Sequence, residues 1–237
     1  MQANAPTVQA ELERALGTIC GEDVRIVLAG RTDAGVHATG QVVSFRAGTR
    51  LDQATIRRGV NALLPQDIAI RDVEEASEDF HARFSATGRA YEYRIRGGAH
   101  REPLERHREH WVPQVLDVDA IERATRMMVG RHDFAAFATG APQGRTEREV
   151  RRAAWKGEGT LLRFEIEANG FLRGMVRAIV GTLLWVGRGH TPAERIAGIL
   201  ASKDRSQAGP NAPPTGLCLV EVTYDGRPSE PSDEDDE

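Results

Sequence analysis

Residues 91–96 alternate without a break. Tyr91, Tyr93 and Ile95 are apolar, and Glu92, Arg94 and Arg96 are charged. A period of two over six residues dictates a strand with one buried face. Around that strand, helix-like and strand-like segments recur in the same order. Before it, Thr7 can cap a helix that carries Val8, Leu12, Ala15, Leu16 and Ile19 on one face, and Gly21 closes it. The short β-branched runs Val24–Leu28 and Val42–Phe45 read as strands. Asp52 heads a second helix with the apolar stripe Ile56, Val60, Leu63 and Leu64, which Pro65 ends, and Ile68–Val73 reads as a further strand.

The second half follows the same plan. Asp117 opens a helix carrying Ile121, Ala124 and Met128 and stopped by Gly130. Val150–Lys156 and Thr160–Ala168 form a hairpin across Gly157-Glu158-Gly159. Phe171–Val186 has the pattern of the longest helix, Thr191-Pro192 starts a short one to Ser202, and Leu217–Tyr224 is the last strand. Each half thus reads helix, strand, strand, helix, strand. The expectation is an α+β fold of two similar modules with mainly antiparallel sheets flanked by helices. The modules span residues 1–96 and 111–226, joined by a polar linker at 97–110 and followed by an acidic, disordered tail at 227–237.

That tail changes the meaning of the charge. The chain has 31 Lys and Arg against 35 Asp and Glu, a net −4. Six of the acids, Glu230, Asp233, Glu234, Asp235, Asp236 and Glu237, fall in the last nine residues, which leaves a body of 31 bases against 29 acids. Only Lys156 and Lys203 are lysines. Arginine suits phosphate and base recognition, although a codon bias produces the same excess, so composition alone does not establish an RNA partner. No apolar run approaches the roughly 20 residues of a membrane helix. Two cysteines, Cys20 and Cys218, are too few for a disulfide framework. With no export signal at residues 1–6, a cytoplasmic location is expected.

The densest chemistry lies between the first two strands, in Ala29-Gly30-Arg31-Thr32-Asp33-Ala34-Gly35-Val36-His37-Ala38-Thr39-Gly40-Gln41. The run has neither a phosphate-loop nor a dinucleotide fingerprint, and it leads into a strand rather than a helix. Asp33 and His37 are two ligands where a metal needs three or four, so no metal site is expected. The residues alone leave two readings of Asp33: a turn carboxylate capping backbone N–H groups, or a placed nucleophile or base. A hydrolase built on Asp33 and His37 lacks a third group to orient the pair.

Gly30-Arg31-Thr32-Asp33-Ala34-Gly35-Val36-His37, with Thr39-Gly40-Gln41-Val42-Val43-Ser44-Phe45 after it, resembles the active-site motif of the tRNA pseudouridine synthase A family. The resemblance continues at Phe80–Thr87 with Arg89–Tyr93, at Asn169–Gly181, at Phe134, Phe137 and Arg145-Thr146, and at Gly216-Leu217. It implies the pseudouridine synthase fold and an isomerase that needs no cofactor. Its substrate would be uridine at positions 38–40 of the tRNA anticodon stem-loop. Asp33 would be the essential carboxylate, with Arg177 beside it fixing its direction and Arg173 a weaker alternative. Tyr91 would pack on the target base, with Arg31 and Leu217 also on the substrate. A homodimer with RNA across both subunits is implied. Members of this family open with a strand before the first helix, so the resemblance also predicts an upstream start and a less stable chain from Met1.

Overall fold

The computed structural model describes residues 7–141, 144–224 and 227–228. In chain order the main elements are α1 (Val8–Cys20), β1 (Ile26–Leu28), β2 (His37–Ala38), β3 (Val43–Phe45), α2 (Gln53–Leu63), β4 (Ala86–Gly97), β5 (His110–Val112), α3 (Val118–Arg126), β6 (Gly130–Asp133), β7 (Glu147–Glu158), β8 (Leu161–Ala168), α4 (Met175–Gly187), α5 (Arg195–Ser202), β9 (Leu217–Tyr224) and β10 (Arg227–Pro228). The fold is mixed α/β with mostly antiparallel pairing. Among the described residues no helix is long and apolar enough to cross a membrane.

Among the described residues the chain divides into two compact units: 7–30 together with Val42–Ala86, and Arg31–Gln41 together with 87–228. In the first, the Thr7 hydroxyl accepts the Ala10 N–H at 3.1 Å and Asp52 accepts that of Thr55 at 2.6 Å, so both helices begin on side-chain caps. Leu12 and Leu16 of α1 and Ile56 and Val60 of α2 bury against Val24 and Ile26. β1 and β3 pair antiparallel from Ile26 opposite Phe45 to Leu28 opposite Val43. The expected strand at 68–73 has no ladder. Instead, the Asn61 carboxamide takes the Ile70 N–H at 2.6 Å and donates to its carbonyl at 2.8 Å. A side chain there supplies the two bonds a neighbouring strand would have made.

The second unit is built on a sheet in the order β10-β9-β4-β8-β7-β6, with β2 added to β9 and β5 to β4. Tyr93 and Ile95 of β4 and Phe164 and Ile166 of β8 face the core. α4 lies in that core too, with Ile179, Val180 and Leu183 wholly buried. α3, capped by Asp117, is tied to the sheet by the Trp155 indole, which donates to the Thr125 hydroxyl at 2.9 Å. β4 therefore sits mid-sheet among later strands, and the grouping differs from a break at 97–110. The end of that segment becomes β5, parallel to the tail of β4. Arg96 fixes it with two bonds of 2.8 Å to the buried Glu109 carboxylate. Of the residues expected as a tail, 227–228 pair with β9 and the rest lie outside the described residues.

The helix expected at Phe171–Val186 starts four residues later than its apolar pattern and, at 13 residues, is only as long as α1. Gly174 takes φ +70°, where a Cβ would stand 2.2 Å from the Thr139 hydroxyl; Arg173 and Gly174 form a turn and α4 begins at Met175. α5 likewise begins at Arg195 rather than at the Thr191-Pro192 signal.

Candidate active site

Asp33 leaves β1 on a turn closed by the Val36 N–H donating to its own carbonyl at 3.1 Å. Beyond that turn, β2 runs parallel to β9, His37 opposite Cys218 and Ala38 opposite Leu219. Thr39 and Gly40 both donate to the Leu219 carbonyl, at 2.9 and 3.1 Å. Gly40 is required there, because a Cβ would lie 2.1 Å from the Val220 carbonyl oxygen. The loop is thus sewn onto the strand that Leu217 begins.

Arg177, in the first turn of α4, meets this loop. Its Nη1 donates to Asp33 Oδ2 at 2.8 Å, and its Nε donates to the Ala212 carbonyl at 2.8 Å. The Ala212 N–H returns a bond to the Arg177 carbonyl at 2.9 Å. Side-chain exposure is 34% for Asp33 and 19% for Arg177, so the pair is only partly screened and its direction is set. Oδ2 accepts from the guanidinium, and among the described residues no hydrogen bond to Oδ1 is seen.

Tyr91 is 9% exposed, with its ring edge-on to Phe171 at 5.1 Å between centroids. Burial pushes its phenol up to about 12, Arg89 works against that rise, and the charge of Asp33 adds to it. The phenol is therefore neutral near pH 7. Tyr93, on the same face of β4, is fully buried and donates to the Pro213 carbonyl at 2.8 Å. The two tyrosines differ in use: Tyr93 ties the strand to the loop before β9, and Tyr91 sets its ring against Phe171. Leu217 is buried directly after that loop.

The structure joins Asp33 to Arg177 directly and brings Tyr91 within reach of the Asp33 charge. Arg31 is exposed and forms no ion pair with these groups among the described residues. Arg173 is also exposed, and its carbonyl accepts the Thr139 N–H at 2.8 Å. His37 contacts the His107 carbonyl through Nε2, which makes it a poor partner for Asp33. Among the described residues no group of three or more His, Cys, Asp or Glu could hold a metal ion. Sequence reasoning missed the Ala212 and Pro213 carbonyls and the Phe171 ring. The signal was the run Gly209-Pro210-Asn211-Ala212-Pro213-Pro214, whose prolines cannot donate, so its carbonyls must be met by donors from elsewhere.

Residues 1–85 and 124–225 match the tRNA pseudouridine synthase family. The chain belongs to that family. As a pseudouridine synthase it is an isomerase, and the mixed sheet and five α-helices of its described residues are the family fold. Among its relatives, the tRNA pseudouridine synthase A of Chloroflexus aurantiacus is 49% identical over 94% of this chain and 82% of its own length. That of Syntrophotalea carbinolica is 45% identical, with 94% and 89% covered. That of Myxococcus xanthus is 44% identical, with 97% and 88% covered.

Proposed function

We propose that this chain converts uridine to pseudouridine at positions 38–40 of the tRNA anticodon stem-loop, with Asp33 as the catalytic carboxylate. The observation that carries the reading is the Asp33–Arg177 pair, a carboxylate with one oxygen fixed by a guanidinium. The reaction breaks the bond from ribose C1′ to uracil N1, turns the base, and forms a bond from C1′ to C5; C5 gives up its proton to solvent and N1 takes one up, so the product is an isomer of the substrate. The target nucleotide must first leave its stack, which costs a few kcal/mol. Asp33 Oδ1 then meets the sugar, either adding to C1′ or taking a ribose proton. Tyr91, braced by Phe171, packs on the detached base and keeps it from escaping, with Leu217 lining the same pocket. Arg31, exposed two residues before Asp33, contacts the RNA.

The working unit in this reading is a homodimer with RNA across both subunits, which sedimentation of the protein alone would test. A tRNA substrate and two unpaired cysteines suit the cytoplasm. The decisive experiment is tritium release from C5-labelled uridine in tRNA. Asp33→Asn keeps the shape and removes the charge, so turnover should vanish while tRNA binding stays within about twofold, as expected for a residue acting only in the transition state. Near-normal turnover in that variant would overturn the assignment.

A further inference from the structure

We infer that Arg205 is a positioning residue for the reaction, acting on Asp33 through the loop that holds Arg177. The inference rests on the functional reading above and goes beyond it. Arg205 touches neither Asp33 nor Tyr91. It stands at the start of the Arg205–Gln207 turn, where Asp204 accepts the Ser206 N–H at 2.9 Å and its hydroxyl at 2.8 Å. From there its guanidinium spans the base of the next loop. Nη1 donates to the Gly209 carbonyl at 2.9 Å and to that of Ala208 at 3.3 Å, and Nη2 donates to Asn211 Oδ1 at 2.8 Å.

From Asn211 the connection runs two ways. The Asn211 amide nitrogen donates to the Thr139 hydroxyl at 3.0 Å. The next residue, Ala212, exchanges two bonds with Arg177, and Arg177 holds Asp33. Three groups in sequence thus connect the Arg205 fork to the carboxylate: Asn211, the Ala212 peptide and Arg177. The loop has few ways to hold itself, because Pro210, Pro213 and Pro214 have no N–H to give. It is also seated tightly on α4. The Gly209 N–H donates to the buried Thr182 hydroxyl at 2.8 Å, and a Cβ on Gly181 would fall 1.6 Å from the Pro210 carbonyl oxygen. In so close a seat, the loop carries a shift at Arg205 on to the Ala212 carbonyl. Two nitrogens of one planar group make the bridge, which a lysine point charge cannot reproduce.

The test compares Arg205→Ala, Arg205→Lys and Asn211→Ala with wild type, well below their melting temperatures. Single-turnover tritium release is measured with saturating tRNA, alongside tRNA affinity. Both Arg205 variants should lose about 10- to 100-fold in rate, the scale of a misplacement near 1 Å. Asn211→Ala should lose less. KM and tRNA Kd should stay within about twofold, since no contact to RNA is removed. Millimolar guanidinium should restore part of the Arg205→Ala rate and leave Arg205→Lys unchanged. Three results would overturn the inference: an unchanged rate in folded variants with only the melting temperature lowered, a rise in KM alone, or full activity in Arg205→Lys. Should Arg205→Ala fail to fold, Arg205→Lys and Asn211→Ala decide the matter. Failure of the Asp33 reading would appear separately, as turnover in Asp33→Asn.

Discussion

Tyr91 and Tyr93 are chemically identical residues two apart on one face of β4, and their surroundings separate them. Tyr93 spends its hydroxyl on the Pro213 carbonyl and is wholly enclosed. Tyr91 has an aromatic brace in Phe171 and the charge of Asp33 nearby. The alternation of the strand placed both inward but could not assign these uses, because the partners lie about 80 and 120 residues further along the chain. If stacking is the work of Tyr91, Tyr91→Phe should keep turnover within a few-fold of wild type. Tyr91→Leu, which removes the ring, should lose at least about tenfold, since base–aromatic stacking is worth roughly 1–3 kcal/mol. Equal losses in the two variants would point to the hydroxyl instead. The pairing of Asp33 with Arg177 was legible for a different reason: an unbroken motif of eight residues singled out Asp33, and an arginine beside it was expected at position 177. Ala212 and Pro213 act through backbone atoms, which leave no mark in the identity of the residue.

At the scale of elements, pattern located segments well and their ends less well. The hairpin of β7 and β8 and the final strand β9 lie where alternation and turn residues put them. The apolar run from Phe171 did not reveal that Gly174 breaks it, because the obstacle is Thr139, a tertiary neighbour. The run 68–73 has the apolar pattern of a strand, but its backbone bonds go elsewhere: those of Ile70 to the Asn61 side chain, the Arg71 carbonyl to the Arg57 guanidinium and the Ile68 N–H to the Pro65 carbonyl. β2 was invisible: two exposed residues carry no period, and it is its pairing with β9 and the close approach of Gly40 to Val220 that reveal it. That approach makes a prediction. Gly40→Ala would force β2 off β9 and displace the loop bearing Asp33, while β2 itself buries little. Turnover should fall by at least about tenfold, the penalty for misplacing reacting groups. The melting temperature should drop by only a few degrees, as for a loss near 1 kcal/mol. A variant with full turnover would show that the pairing of β2 is dispensable to the site.

At the scale of the molecule, titration and charge make two further demands. Burial raises the phenols of Tyr91 and Tyr224 from the ordinary value of 10.0 to about 12 each, and raises that of Tyr93 as well. The fold therefore favours their neutral forms. Its contribution to stability is complete below pH 10 and is lost as pH rises from about 10 to 12, where the unfolded chain releases these protons first. Urea midpoints should accordingly fall steeply above pH 10, and Tyr91→Phe should flatten part of that fall. A midpoint constant to about pH 11.5 would contradict the burial of these rings.

The acidic end of the sequence makes a prediction about substrate binding. Without its last nine residues the chain turns from a net −4 to 31 bases against 29 acids. Six carboxylates tethered to an arginine-rich body compete with RNA phosphate for the same guanidinium groups. Competition of that kind between exposed charges weakens as ions screen it, with a reach of about 10 Å at 0.1 M salt. Deleting Ser229–Glu237 should therefore tighten tRNA binding by a few-fold at low salt and leave it unchanged at high salt. The plot of log affinity against log salt should steepen, because every further phosphate that an arginine neutralises sets counterions free. Turnover at saturating tRNA should not move, since the deletion leaves Asp33, Arg177, Tyr91 and Leu217 in place. Equal affinity for the two proteins at low ionic strength would reduce the tail to a solubilising end. A drop in affinity on deletion would reverse the argument and make the acids part of the binding surface.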